Sequence, residues 1–167
     1  MNIRKAVAED AQAIAELLNH YIENTTCTFY TEPMSVENRR DWIAAHTAKH
    51  PVFILELDGA FSGVCALSEY NVRPAYCHTV ESMVYLRSGI QGRGYGTALM
   101  QRAIDDAKHL GHHAILAGIC AEQIASIRLH QRLGFEKVAH YREVGKKFGR
   151  WLDVIYMELL LQSAKEA

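Results

Sequence analysis

Apolar residues recur with a helical period in the first part of the chain and then give way to short strand-like runs. Asn2 to Val7 reads as an opening strand. Ala11, Ile14, Ala15, Leu18 and Ile22 follow at helical spacing, with Glu9 and Asp10 in the first turn, where the helix dipole favours acids. Asn24 to Pro33 is a loop rich in Thr and aromatics. Ser35 with Asn38 opens a second helix through Trp42, Ile43 and His46, stopped by Pro51. Val52 to Leu57 and Phe61 to Ser68 are strands, joined at the hairpin signal Asp58-Gly59. An irregular connection, Glu69 to Cys77, leads to a strand over Thr79 to Leu86.

The remainder alternates helices and strands. Leu99, Met100, Ala103, Ala107 and Leu110 share one face of a helix from about Gly94, which Gly111 ends. Ala114 to Cys120 is nearly continuous apolar sequence, which predicts a strand buried on both faces. A helix over Ile124 to Leu133 ends at Gly134, and strands at Lys137 to Val144 and Leu152 to Leu160 close the chain. The order β-α-α-β-β-β-α-β-α-β-β predicts a single α/β domain of α+β character with a mixed sheet.

Composition narrows the function classes. The 167 residues carry a net charge of −1, which removes the electrostatic case for nucleic acid or an anionic membrane. Cys27, Cys65, Cys77 and Cys120 form no CxxC pair, and the N-terminus has no apolar signal core; a cytoplasmic location is expected. His46 and His50, and the adjacent His112 and His113, lack further ligands at metal spacing, so no metal is expected.

The chemistry concentrates in Thr79 to Met100. Glu81 is the one charge within its strand and shares a face with Met83 and Tyr85. Such surroundings desolvate a carboxylate, raise its pKa and make it a better base near neutrality; a structural partnership with an Arg is the plainer reading. Gln91-Gly92-Arg93-Gly94-Tyr95-Gly96 follows the strand and opens a helix. Backbone N–H groups there can approach an anion closely, and the helix N-terminus adds a positive dipole end; a loop that merely needs positive φ is the alternative. Ser126 and His130, four apart, and Gln123, three before Ser126, line one helix face. Arg73 and Tyr76 precede the Glu81 strand, and arginine suits bidentate recognition of a carboxylate or other oxyanion.

Gln91-x-x-Gly94-x-Gly96 after a Val/Tyr-rich strand resembles the acetyl-CoA pyrophosphate loop of the GCN5-related N-acetyltransferases (GNAT). Ala75-Tyr76, Thr79-Val80-Glu81-Ser82, Ala125 to His130, Leu133-Gly134-Phe135 and Val144 to Asp153 together resemble the phosphinothricin and methionine sulfoximine acetyltransferase group, with Thr25-Thr26, Phe29, Arg40 and Trp42 extending the match. The group often carries a second Arg and a Trp where this chain has Asn71 and Tyr70, and Asn where it has Gln123.

The resemblance implies a GNAT fold, with a mostly antiparallel central sheet and helices on both faces, and a homodimer. It implies acetyl-CoA as co-substrate, with its pyrophosphate on Gln91 to Gly96, its pantetheine arm beside Met83, Val84, Tyr85 and Leu86, and further contacts from Gln123, Ser126 and His130. Glu81 is then the general base, and His130 either protonates the departing thiolate, orients substrate or is structural. Phe29, Tyr30, Arg73, Tyr76, Lys147 and Phe148 are the candidate acceptor-site residues. The implied reaction is acetylation of the α-amino group of a small amino acid or glutamate analogue, such as phosphinothricin, methionine sulfoximine or sulfone, or arsinothricin, with a toxin-resistance role. Acetylation of a protein N-terminus or polyamine, and a non-catalytic CoA-binding module, are the alternatives.

Overall fold

The structure, a computed structural model, describes residues 1–161. Its elements follow the expected order: β1 (Asn2–Lys5), α1 (Ala11–Asn24), α2 (Val36–Ala45), β2 (Val52–Leu57), β3 (Ala60–Glu69), β4 (Thr79–Leu86), α3 (Tyr95–His109), β5 (Ala114–Cys120), α4 (Ile124–Arg132), β6 (Glu136–Lys147) and β7 (Arg150–Leu160). The strands form one sheet in the order β1-β2-β3-β4-β5-β7-β6, antiparallel throughout except for β4 and β5.

Alternation within β2 and β3 divides the interior into two layers. Ile54, Val64 and Ala66 meet Ile14, Leu17 and Leu18 of α1 on one face. Phe53, Leu55, Cys65 and Leu67 meet Leu99, Met100, Ala103 and Ala107 of α3 on the other. Helices therefore cover both faces. The acidic first turn expected before α1 is a separate 3-10 turn, Ala8–Asp10. Asp10 accepts the Val7 N–H at 2.8 Å and takes the Arg4 guanidinium on both oxygens, at 2.7 and 2.8 Å. This pins β1 to the start of α1.

The last two strands run further than the hydrophobic pattern indicates. β6 reaches Lys147 and β7 begins at Arg150, so Phe148-Gly149 is a two-residue hairpin turn rather than part of a longer connection. Both turn residues have positive φ, 50° and 73°, as the tightest hairpins require.

One departure from regular pairing creates the space for a site. β4 and β5 pair only over Thr79–Glu81 and Ala114–Leu116. β5 continues alongside β7 to Cys120, while β4 continues alongside β3 to Leu86. The two central strands thus splay apart after Glu81, and the β5-facing backbone edge of Ser82 to Leu86 has no strand partner.

Candidate active site

The splay opens a groove of about 550 Å³. Its walls are Ser82 to Leu86 of β4, Ala117 to Ile119 of β5, the Gln91–Gly94 turn with Gly96 and Thr97 of α3, and Gln123, Ser126 and His130 of α4. Gly92 and Gly94 have φ of 77° and 85°, and nothing lies within 4 Å of where their Cβ atoms would be. A substituent there would fill the open cradle, and a non-glycine residue would be strained. The donor set therefore fits an anion held by backbone amides at the start of α3.

The third glycine of the motif serves a different purpose. A Cβ on Gly96 would lie 2.8 Å from the Leu129 side chain, so this glycine sets how closely α3 packs on α4. Arg93 and Tyr95 fall outside the groove lining; Arg93 is exposed and Tyr95 packs against the main core. Thr97 lines the groove instead, and the motif gave no signal for it.

A second cavity, about 230 Å³, lies beside the groove, and both share Ser82, Met83, Tyr85 and Gly118 as walls. Glu81, Met83 and Tyr85 all line the second cavity, as their shared strand face requires. Tyr85 is anchored by its hydroxyl, which donates to the Cys27 carbonyl at 3.1 Å, and burial pushes its pKa up to about 12. Glu81 is half-buried, and burial raises its carboxyl above the ordinary range while the Tyr156 hydroxyl partly draws it back. Tyr156 had no signature in the sequence. It stands directly opposite Gly118 in the β5–β7 ladder, which brings it to the Glu81 side of the sheet.

His130 is 3% exposed. Its Nδ1 lies 2.8 Å from the Ser126 carbonyl oxygen. A carbonyl only accepts, so Nδ1 carries the proton and Nε2 is a lone-pair acceptor. Nε2 is buried without a partner among the described residues. Burial also lowers the His130 pKa, favouring the neutral ring. An imidazole in that state is poorly suited to protonating a leaving group. Of the roles open to His130, namely acid, orienting group or structural residue, this tautomer is compatible with an orienting one. Gln123 lines the groove while its amide donates to Thr26 Oγ1 at 2.9 Å, tying α4 to the Thr-rich loop.

The candidate acceptor residues are only partly brought together. Tyr30 lines the Glu81 cavity. Arg73 and Tyr76 do not: both are exposed, with Arg73 at the start of a 3-10 turn, Pro74–Tyr76, ahead of β4. Phe29 packs its ring onto the Gly145 backbone, where any side chain would overlap it. Lys147 is buried and donates to the Thr28 carbonyl at 2.7 Å, and Phe148 sits exposed at the β6–β7 turn. Phe29 and Lys147 thus tie the Thr-rich loop to β6, and neither lines the cavity. In place of Arg73 the cavity receives Arg39 of α2, which the sequence pattern did not single out.

The chain matches the acetyltransferase (GNAT) domain over residues 3–156. It belongs to the GNAT acetyltransferases. Like this protein in sequence are the L-amino acid N-acyltransferase MnaT of Escherichia coli, 39% identical over 99% of this chain and 97% of that one, and a phosphinothricin N-acetyltransferase of Streptomyces coelicolor, 40% identical over 95% of each. In structure it is similar to a GNAT superfamily phosphinothricin acetyltransferase from Sinorhizobium meliloti solved with acetyl-CoA. That match has a TM-score of 0.93 and 30% identity, and covers 99% of this chain and 91% of the other. The groove and cavity of this GNAT domain thus lie in a fold shared end to end with N-acetyltransferases. Among the described residues no three His, Cys, Asp or Glu side chains converge as a metal site.

Proposed function

We propose that this acetyltransferase transfers the acetyl group of acetyl-CoA to the α-amino group of a small amino acid or glutamate analogue. The observation that carries the reading is the junction of groove and cavity at Ser82, Met83, Tyr85 and Gly118, with Glu81 facing the cavity. A donor arm in the groove and an amine in the cavity would meet across β4.

Bound acetyl-CoA supplies an activated acyl thioester. The Gln91–Gly96 backbone and the N-terminus of α3 offer amides and a positive dipole to its pyrophosphate. The unpaired edge from Ser82 to Leu86 offers strand-like hydrogen bonds to its pantetheine amides, and the Val84 N–H is a donor for the acyl oxygen as charge develops there. Ser126 and Gln123 line the opposite wall, and His130 orients through its free Nε2. Glu81 takes the proton that an ammonium must lose before its nitrogen lone pair can attack. Its raised pKa brings its basicity closer to the operating pH. Holding both partners in line supplies much of the remaining acceleration.

The acceptor class follows from charge. The cavity places one anion, Glu81, and one cation, Arg39, among apolar and hydroxyl-bearing walls. A polyamine would face an unmatched cation. The same reading includes a homodimer, supported by the exposed apolar side chains Val138, Tyr141 and Val144 on the edge strand β6 with Trp151 on β7. It also includes a reducing, cytoplasmic setting, supported by four unpaired cysteines, and a resistance role against a glutamate-mimic toxin.

An acetylation screen tests the reading. Thiol release from acetyl-CoA is measured with L-methionine sulfone, phosphinothricin, the common L-amino acids, an N-terminal peptide and spermidine. Highest kcat/KM on the amino-acid set supports the proposal. Turnover confined to the peptide or to spermidine contradicts it.

A further inference from the structure

Arg39 sits on the buried face of α2 and is 5% exposed. A buried guanidinium is normally paired with a carboxylate, because removing its charge from water is costly. Arg39 has no such partner: its side chain makes no ion pair or hydrogen bond with any described residue, and its Nε is fully buried and unsatisfied. Its neighbour Arg40, one position along the same helix, pairs with Glu37 at the surface. The Trp42 ring stands beside Arg39, with the guanidinium carbon 5.9 Å from its centroid. Tyr30 and Tyr85 line the same cavity, and burial pulls the Arg39 group below its ordinary pKa, though an arginine remains charged.

The cation is also in a chosen place. It lines the 230 Å³ cavity that holds Glu81, and among the described residues these two are the charged ones in that lining. A buried, unpaired cation facing a cavity is a site waiting for an anion. An amino acid carries an ammonium and a carboxylate on one carbon, and Glu81 accounts for the ammonium.

We propose that Arg39 is the anchor for the acceptor's carboxylate and so selects free amino acids over amines that lack one. The proposal rests on the amino-acid reading above and names the residue that would enforce it. With the carboxylate held by the Arg39 guanidinium, the α-amino group is restricted to the Glu81 side of the cavity. The same arrangement rejects an amide or ester of the same amino acid, which would leave the buried cation unpaired.

The test compares L-methionine sulfone with its α-carboxamide as acceptors for the wild type, Arg39→Lys and Arg39→Met. The wild type is expected to favour the acid by on the order of 10²-fold in kcat/KM, the scale of a buried charge pair. Arg39→Met should lose that preference through loss of acid turnover, with the amide little changed, and Arg39→Lys should restore part of it. In the absence of acetyl-CoA, L-methionine sulfone should raise the melting temperature of the wild type and not that of Arg39→Met. A merely structural arginine predicts equal losses on acid and amide together with a lower melting temperature in both variants. Retention of the acid preference by Arg39→Met overturns the Arg39 assignment alone. Failure of the wild type to acetylate either compound, with turnover of a peptide or polyamine, overturns the acceptor reading and the assignment with it.

Discussion

Gly118 on β5 lies directly across the ladder from Tyr156 on β7, and a Cβ added at Gly118 would come within 3.2 Å of the Tyr156 ring and 3.4 Å of the Glu81 carboxylate. The missing side chain therefore leaves room for the Tyr156 phenol and the Glu81 carboxylate beside Gly118, which itself lines both groove and cavity. Gly118→Ala would force the Tyr156 ring to give by a few tenths of an ångström and bring a methyl into contact with the Glu81 carboxylate. The expected result is a fall in kcat of about tenfold, because small displacements of reacting groups are costly, with the melting temperature changed little. Steady-state kinetics and differential scanning fluorimetry on the same preparation check it.

Tyr156 tunes its neighbour. Burial raises the Glu81 pKa and the Tyr156 hydroxyl lowers it, so Tyr156→Phe should move it further up. In the pH profile of kcat/KM, the acid limb should shift to higher pH in the variant, with a modest loss of rate at neutral pH. The stability sign follows from the same direction. A carboxyl whose folded pKa exceeds its unfolded value, about 4.3, stabilises the protein fully below that value, and the contribution is lost as pH rises through the folded one. Tyr156→Phe should extend that window upward in melting temperature measured against pH. An unmoved acid limb would show that the hydroxyl does not act on Glu81.

His130 gives an opposite pH signature. Its pKa is depressed, so its contribution to stability is present above the unfolded value of about 6.5 and is lost as pH falls toward the folded one. His130→Gln should flatten the decline in melting temperature below pH 6.5. In catalysis it should raise the KM for acetyl-CoA while keeping kcat within about tenfold, as a group that orients rather than donates a proton would. A kcat loss of about 10² or more would instead mark a general acid, the usual scale for losing one.

The hydrophobic pattern carried the element order and the strand–turn–helix unit at Thr79 to Met100, because each depends on local spacing. Glu81 was legible for the same reason: alternation alone puts it on a face with Met83 and Tyr85. What the pattern could not carry depends on pairing across the sheet. The splay of β4 from β5 arises where a parallel pairing ends after three residues, and nothing in either strand's own sequence marks that point. Tyr156 is one of several large residues in β7 and becomes special only through its register with Gly118. Arg39 and Arg40 look alike in a helix with polar residues on most sides, so only the packing of α2 decides which one is buried. Arg73 drew attention as an isolated cation next to the Glu81 strand, yet its turn holds it at the surface.

The replacement of Glu81 by glutamine tests the central claim most directly. It removes the base while keeping nearly the same shape, and its effect is read as kcat against pH with L-methionine sulfone and saturating acetyl-CoA. The account predicts a loss in kcat of roughly 10²–10⁴, an unchanged KM for acetyl-CoA and disappearance of the acid limb, together with a higher melting temperature at neutral pH because a desolvated charge is gone. Wild-type kcat with an intact acid limb in Glu81→Gln would contradict it.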